Sequence, residues 1–309
     1  MKKTSLPNLR RIVYPLFVIG VVYLLFLASQ VLFLFLGNLL GHLLKWTWKF
    51  EELQPELLYP NFLVNLFFGL LPLLLAFFWA KKLIFRQRFL PRFFPSSRSA
   101  LPDLCFGFGL GGILFGLLFL AFGALGWLRV TAEPALAATD LLWLTLTFFV
   151  SALFEELLFR GFHLPLLASH WGISPGIAFS AFLFSLAHLY NPHLNFFGLF
   201  GILIAGVLFA FAYIETGALY LPIALHFSWN FFQNLFGFRV SGLAFPTLFQ
   251  VEVIGPPLWT GGAFGPEAGL SGLVLLSLAT MATLLYGRYR RAPGPRPPAS
   301  TQPSIKNRP

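Results

Sequence analysis

The chain has 309 residues, of which 57% are hydrophobic and only 10% are charged, and its mean hydropathy is +0.77. Soluble domains carry about 25% charged residues, so this composition excludes an ordinary soluble protein and predicts a multi-pass membrane protein. The net charge of +10 lies in short basic blocks beside apolar runs, which favours anionic lipid headgroups as partners over nucleic acid. A single cysteine, Cys105, excludes an intramolecular disulfide and a cysteine zinc cluster.

Apolar runs of about 20 residues predict an all-α, polytopic helical bundle. The first run is too long for the apolar region of a cleaved signal peptide, so we interpret it as a retained span. Eight transmembrane helices are predicted, at about residues 12–36, 61–80, 104–128, 141–160, 174–191, 196–214, 221–238 and 270–287.

The basic blocks predict the orientation of this bundle. They occupy the N-terminus, the connection after the second span and the C-terminal tail, whereas the connections 129–140 and 239–269 are poor in cations. Cytosolic segments are enriched in Lys and Arg, and eight spans place all three basic blocks on one side. We therefore expect both termini in the cytosol (N-in/C-in).

Four regions follow along the chain. The first region, residues 1–139, contains the first three spans, an interfacial segment around Trp46 and Trp48, and a basic cytosolic loop. The second, residues 140–238, forms a core with intramembrane polar groups. The third, residues 239–291, contains an irregular outer connection and the last span, and the fourth, residues 292–309, is a Pro-rich tail that we expect to be disordered.

The fourth span carries the costliest polar groups. Glu155, Glu156 and Arg160 lie at its end, and charges within a bilayer mark functional sites. Glu156 and Arg160 are four residues apart on a helix, so we expect them to pair and to support the structure. Glu155 is left for chemistry. Gly161 is interpreted as the helix stop, which predicts that Glu155 lies about 8–9 Å from the cytosolic end.

Two further spans carry candidate site residues with the same spacing. Phe184 and His188 lie four residues apart in the fifth span, and His226 and Asn230 four apart in the seventh. From a helix start at Pro175, His188 is predicted about 20 Å deep, which disagrees with the shallow positions predicted for Glu155 and His226. The other histidines lie near predicted span ends and are interpreted as interfacial: His42, His163, His170 and His193.

A carboxylate beside an imidazole can act as a general base on water, while a second imidazole and an amide can stabilise an oxyanion. This set is sufficient for peptide hydrolysis without a covalent nucleophile. Glu155, His188 and His226 also form a possible zinc set, although no His-Glu-x-x-His helix is present. We favour the version without a metal, and zinc remains the alternative.

These three motifs, in this order, resemble the CAAX protease and bacteriocin-processing family of intramembrane proteases, which includes the type II CAAX prenyl endopeptidases and the Abi proteins. The resemblance covers roughly residues 140–235. It implies that Glu155 and His188 activate water, that His226 and Asn230 form the oxyanion site, and that Glu156, Arg160 and Phe184 support the site. It also implies a helical bundle whose cavity faces the cytosol.

The expected function is therefore an intramembrane endopeptidase, of glutamic or metallo type, in the plasma membrane. Its expected partners are membrane lipids and a peptide or protein substrate, with or without a lipid modification, and no nucleic acid. Two alternatives stay open: a proton-coupled transporter, in which Glu155, His188 and His226 relay protons, and a non-catalytic immunity or scaffold protein of the same family.

Overall fold

A computed structural model describes residues 9–43, 62–85, 93–95, 100–132 and 136–291. The segment around Trp46 and Trp48, most of the basic loop and the tail 292–309 lie outside this part of the chain. Its helices are α1 (Leu9–Leu43), α2 (Leu71–Ala80, flanked by π-helical turns Asn65–Leu70 and Lys81–Phe85), α3 (Ala100–Ala124), α4 (Ala138–Glu156), α5 (Leu164–Trp171), α6 (Ile173–Leu186), α7 (Phe196–Thr216), α8 (Tyr220–Leu235), α9 (Pro257–Thr260) and α10 (Leu270–Arg291).

The prediction of an all-α polytopic membrane bundle is confirmed. Within the described residues, six helices are long and apolar enough to cross a membrane: Leu9–Leu39, Phe62–Ile84, Ala100–Ala124, Ala138–Trp171, Phe196–Thr216 and Leu270–Arg290. The fifth and seventh predicted spans correspond to α6 and α8, which are shorter, with 14 and 16 residues. The number of eight spans, the N-in/C-in orientation and the four-region division stay predictions.

Side-chain contacts define the two ends of the bundle. The indole of Trp171, at the end of α5, donates to the carbonyl of Arg11 at the start of α1, 3.1 Å away. Arg290, near the end of α10, binds Asp103 in the first turn of α3 at 3.0 Å. Both contacts lie at one end, which we call the basic end because Arg10, Arg11, Arg288 and Arg290 are there.

The opposite end, which we call the sheet end, carries a short antiparallel β-ribbon. Strand β1 (Leu128–Ala132) precedes α4, and strand β2 (Gln250–Val253) follows α8. Arg129 and Glu252 pair across it at 3.0 Å. The ribbon therefore ties together the connections that lead into α4 and out of α8.

Helices α3 and α8 pack closely because α3 presents glycines spaced four residues apart. A Cβ added at Gly107 would lie 2.9 Å from the Cβ of Ala224, and one at Gly111 would overlap Ser228. The Ser228 hydroxyl donates to the carbonyl of Gly107 at 2.8 Å. Small residues at this spacing let backbones approach and bring polar groups within hydrogen-bonding distance.

The predicted helix stop at Gly161 is wrong. The helix continues from α4 through a π-helical turn, Leu157–His163, into α5 and ends at Trp171. At the end of this turn the backbone N–H of Leu164 donates a hydrogen bond to the carbonyl of Phe159, five residues back. Pro165 then falls in the first turn of α5, where its missing N–H is tolerated. Glu155 is therefore followed by about 24 Å of helix, rather than 8–9 Å.

The longer helix removes the disagreement in depth between Glu155 and His188. His188 lies 15 residues after the start of α6, or about 22 Å, and α6 runs back antiparallel from the end of α5. Glu155 and His188 are thus brought to a similar level of the bundle.

Candidate active site

Three side chains from separate elements converge near the middle of the bundle. Glu155 lies in the last turn of α4, His188 on the turn that follows α6, and His226 in the second turn of α8. The Oε2 atom of Glu155 lies 3.7 Å from Nε2 of His188 and 3.9 Å from Nε2 of His226. The side chains of Glu155 and His188 are 17% and 16% exposed, and that of His226 is 5% exposed. The site is thus mostly enclosed but open on one side.

The hydrogen bonds of the two imidazoles fix their orientation and tautomer. Nδ1 of His188 lies 2.8 Å from the carbonyl of Phe184, and Nδ1 of His226 lies 2.8 Å from Oε1 of Glu156. A carbonyl and a carboxylate oxygen can only accept, so each Nδ1 donates its proton. In the neutral rings both Nε2 atoms then present lone pairs towards Glu155.

Three hydrogen-bond acceptors therefore face one another, namely Oε2 of Glu155 and the two Nε2 atoms. Within the described structure, Oε2 of Glu155 is buried and has no hydrogen-bond partner, and both separations are too long for a direct bond. The other carboxylate oxygen, Oε1, accepts from Ser151 at 3.2 Å. Groups separated in this way are suited to binding a water molecule, which can donate two hydrogen bonds.

Glu156 and Arg160 form a fully buried ion pair beside this cluster. Nη1 of Arg160 donates to Oε1 of Glu156 at 2.8 Å, and Nη2 donates to the carbonyl of Gly206 on α7 at 2.9 Å. The same Glu156 oxygen accepts from His226. The pair therefore connects α4, α7 and α8 and holds the His226 ring in place.

Aromatic rings surround the guanidinium of Arg160. Its Cζ lies 4.4 Å from the ring centre of Phe184, 5.1 Å from that of Phe209 and 5.9 Å from that of Phe159. The ring of Phe209 also stacks on His226, with centres 4.6 Å apart. Phe184 thus has two roles here, since its ring contacts Arg160 and its carbonyl orients His188.

Asn230 lies one helical turn after His226 on α8 and is half-buried. It lines the same cavity as Glu155, His188 and His226, which has a volume of about 420 Å³. All four residues expected to act in catalysis therefore border one cavity.

The cavity extends from Glu155 towards the sheet end. Its walls on that side include Thr147 and Ser151, which precede Glu155 on α4, and Val240, Ser241 and Phe245, which follow α8. The basic residues lie at the other end of the bundle. The prediction that the basic end is cytosolic therefore disagrees with the expectation that the cavity opens towards the cytosol.

The zinc alternative makes a specific demand on the geometry. A structural or catalytic zinc site needs three or four protein ligands at about 2.0–2.3 Å from one point. Among the side chains described, no group of three His, Cys, Asp or Glu residues is arranged to hold a metal ion.

Sequence reasoning missed several contacts of this site. The i,i+4 spacing predicts the bond from Arg160 to Glu156, but no local pattern indicates that the same oxygen also binds His226, 70 residues away. His163, interpreted as interfacial, is fully buried and packs against Tyr23 and Phe159. That interpretation is wrong because the helix does not end at Gly161.

A comparison with protein families gives one match to this region. Residues 137–232 match the family described as type II CAAX prenyl endopeptidase Rce1-like. The match covers less than half of the chain and includes all three motifs. It confirms the resemblance to CAAX-type intramembrane proteases. No curated protein and no solved structure matches the chain.

Proposed function

We propose that this protein is an intramembrane endopeptidase that hydrolyses a peptide bond with water activated by Glu155 and His188. The observation that carries the proposal is the convergence of three acceptors, Oε2 of Glu155 and Nε2 of His188 and His226, at 3.7 and 3.9 Å. Such a set can orient a water molecule and accept its proton.

In the proposed reaction, the water oxygen forms a bond to the carbonyl carbon of the substrate as its proton passes to Glu155. The carbonyl oxygen becomes an oxyanion, which the Asn230 amide stabilises by donating a hydrogen bond. The attacking water donates its other hydrogen bond to Nε2 of His188. His226 takes a proton from solvent at Nε2 before the reaction and keeps it throughout, so it donates a second bond to the oxyanion, and the Glu156 carboxylate at Nδ1 stabilises its positive charge. The C–N bond breaks when Glu155 returns the proton to the leaving amine nitrogen.

The proposed substrate is a membrane-associated peptide or protein, because the site lies inside a bundle of apolar helices. The cavity wall combines aromatic residues, including Phe148, Phe154 and Trp229, with the polar groups of the site. An apolar wall of this kind suits a hydrophobic or lipid-modified segment. The proposed location is the plasma membrane.

The decisive experiment compares wild-type protein with Glu155→Gln. Candidate substrates are first identified as membrane proteins whose termini differ between cells with and without the protein. Cleavage of a peptide from such a substrate is then measured with purified protein in lipid nanodiscs. Removing a general base lowers the rate by about 10²–10⁴-fold. Glu252→Gln is the matched control, because Glu252 is an exposed carboxylate on β2.

Equal cleavage rates for Glu155→Gln and wild type would remove Glu155 from the mechanism. Absence of cleavage by the wild type, with ion or solute flux that depends on a pH gradient in sealed liposomes, would favour the transporter. Full cellular activity of Glu155→Gln, with no cleavage by either protein, would favour the non-catalytic protein.

A further inference from the structure

A second carboxylate, Glu267, lines the same cavity as Glu155 but has no part in the proposed reaction. It lies in the short 3-10 turn Pro266–Ala268, just before α10, and is 7% exposed. This position is outside the part of the chain matched by the family comparison. Burial raises the pKa of the Glu267 carboxyl, and the hydrogen bonds from Ser241 offset only part of this rise.

Glu267 holds Ser241 through two hydrogen bonds. Its Oε2 accepts from the backbone N–H of Ser241 at 2.7 Å and from the Ser241 hydroxyl at 2.9 Å. Ser241 has a φ of 48°, in the left-handed region that is unfavourable for residues other than glycine. A backbone held in this conformation needs support from its surroundings, and the two bonds to Glu267 supply it.

Ser241 in turn holds the segment that carries His188. The carbonyl of Ser241 accepts from the side-chain amide of Asn191 at 3.0 Å. The backbone N–H of Asn191 donates to the carbonyl of His188, also at 3.0 Å. Hydrogen bonds therefore run without interruption from Glu267 through Ser241 and Asn191 to the His188 backbone.

His188 needs such support because it lies beyond the end of α6, which ends at Leu186. The backbone N–H of His188 donates a hydrogen bond to the carbonyl of Ser185 in a tight turn. Glu155 and His226, by contrast, are fixed by regular helices. Turns hold a side chain less rigidly than helices do, and a displacement of about 1 Å can lower a rate by about 100-fold.

We infer that Glu267 is a positioning residue for the proposed reaction, which acts through Ser241 and Asn191 to hold His188 against Glu155. This inference rests on the proposed function for its kinetic consequence, while the position of His188 is measurable without catalysis. Glu267 itself does not contact the reacting atoms.

The test uses Glu267→Leu, which removes the acceptor, and Glu267→Gln, which retains an acceptor oxygen for Ser241. We expect Glu267→Leu to lower kcat by about 10–100-fold and to change KM much less, because Glu267 is only one of many residues that line the cavity, and Glu267→Gln to recover most of the loss. The matched control is Ser271→Ala, which removes a buried hydroxyl bond to the carbonyl of Trp259 in the same region but without contact to the turn of His188.

A second measurement reports on His188 directly. In protein labelled with ¹⁵N-histidine, we expect the Nδ1 and Nε2 signals of His188 to shift in Glu267→Leu and to stay unchanged in Ser271→Ala. If Glu267→Leu does not fold, Asn191→Ala decides, since it removes the hydrogen bond to the Ser241 carbonyl; it is expected to lower kcat and to shift the His188 signals.

Unchanged kcat and unchanged His188 signals in these variants, with Glu155→Gln inactive, would overturn the inference and leave the proposed function intact. Absence of cleavage by the wild type would instead contradict the proposed function, and the histidine signals would then decide the positioning role alone.

Discussion

Nδ1 of His226 lies 2.8 Å from Oε1 of Glu156, the same oxygen that accepts from Arg160. One carboxylate thus holds both a guanidinium and an imidazole of the candidate site. Glu156 is therefore more than half of a structural ion pair, because its position also determines where Nε2 of His226 points.

This relationship predicts the effect of Glu156→Gln. The variant leaves Arg160 charged, fully buried and without its counter-ion, and breaking a buried pair in this way costs about 3–5 kcal/mol. We expect a corresponding loss of unfolding free energy, measured in mixed micelles. The double variant Glu156→Gln/Arg160→Gln removes both charges and should recover part of the loss. A single variant as stable as wild type would contradict the proposed role of the pair.

Asn230→Asp tests the oxyanion site. The substitution keeps the size of the side chain but replaces the amide donor with an acceptor. Losing one oxyanion donor lowers kcat by about 10²–10³-fold. We expect KM to change little, because Asn230 binds the ground-state carbonyl of the substrate less strongly than it binds the oxyanion. Circular dichroism checks that α8 still forms. A variant with wild-type kcat would exclude Asn230 from the reaction.

The packing of α3 on α8 predicts different outcomes for two glycines on one helix. A Cβ at Gly111 would overlap Ser228, whereas one at Gly109 has no atom within 4 Å. Overpacking typically costs about 1–3 kcal/mol, so Gly111→Ala should lower the melting temperature. Gly109→Ala should be neutral or slightly stabilising. Equal effects of the two substitutions would contradict the close approach of these helices.

Orientation is tested by labelling single cysteines in a Cys105→Ser background. We expect Lys82→Cys, beyond α2, to react only with reagents that reach the cytosol, and Thr131→Cys, on β1, to react from outside. The opposite pattern would overturn the N-in/C-in prediction and would turn the cavity towards the cytosol.

Metal dependence is tested by elemental analysis together with cleavage after treatment with a strong chelator. We expect purified protein to contain well below one zinc ion per chain and the treated protein to keep its full rate, because the proposed reaction has no step that needs a metal-bound water. Loss of activity that is restored by added zinc would establish the metallo-type alternative.

The fold class and the pairing of Glu156 with Arg160 follow from local patterns in the sequence. Long apolar runs predict spans, and i,i+4 spacing predicts contacts on one helical face. The continuation of α4 through Gly161 does not follow from such a pattern, because glycine and a following proline are ordinary stop signals and only the π-helical turn accommodates them here.

Contacts between distant segments were beyond prediction for a different reason. Glu267 lies in a connection rich in Pro and Gly. No helical or strand periodicity is present there from which the direction of a side chain could be predicted. The bonds of Glu267 to Ser241, and those of Ser241 to Asn191, depend on how α6, α8 and α10 pack together. The β-ribbon depends likewise on two strands more than 100 residues apart.

The charges that line the cavity restrict which part of a peptide it can accommodate. Glu155 and Glu267 both border the cavity, and the described lining contains no Lys or Arg side chain. A free C-terminal carboxylate brought into this cavity would be repelled by the Glu155 carboxylate, and no Lys or Arg of the described lining would offset that repulsion. Bonds well inside a chain, or next to a blocked terminus, should therefore be accepted more readily than the last peptide bond of an unmodified polypeptide.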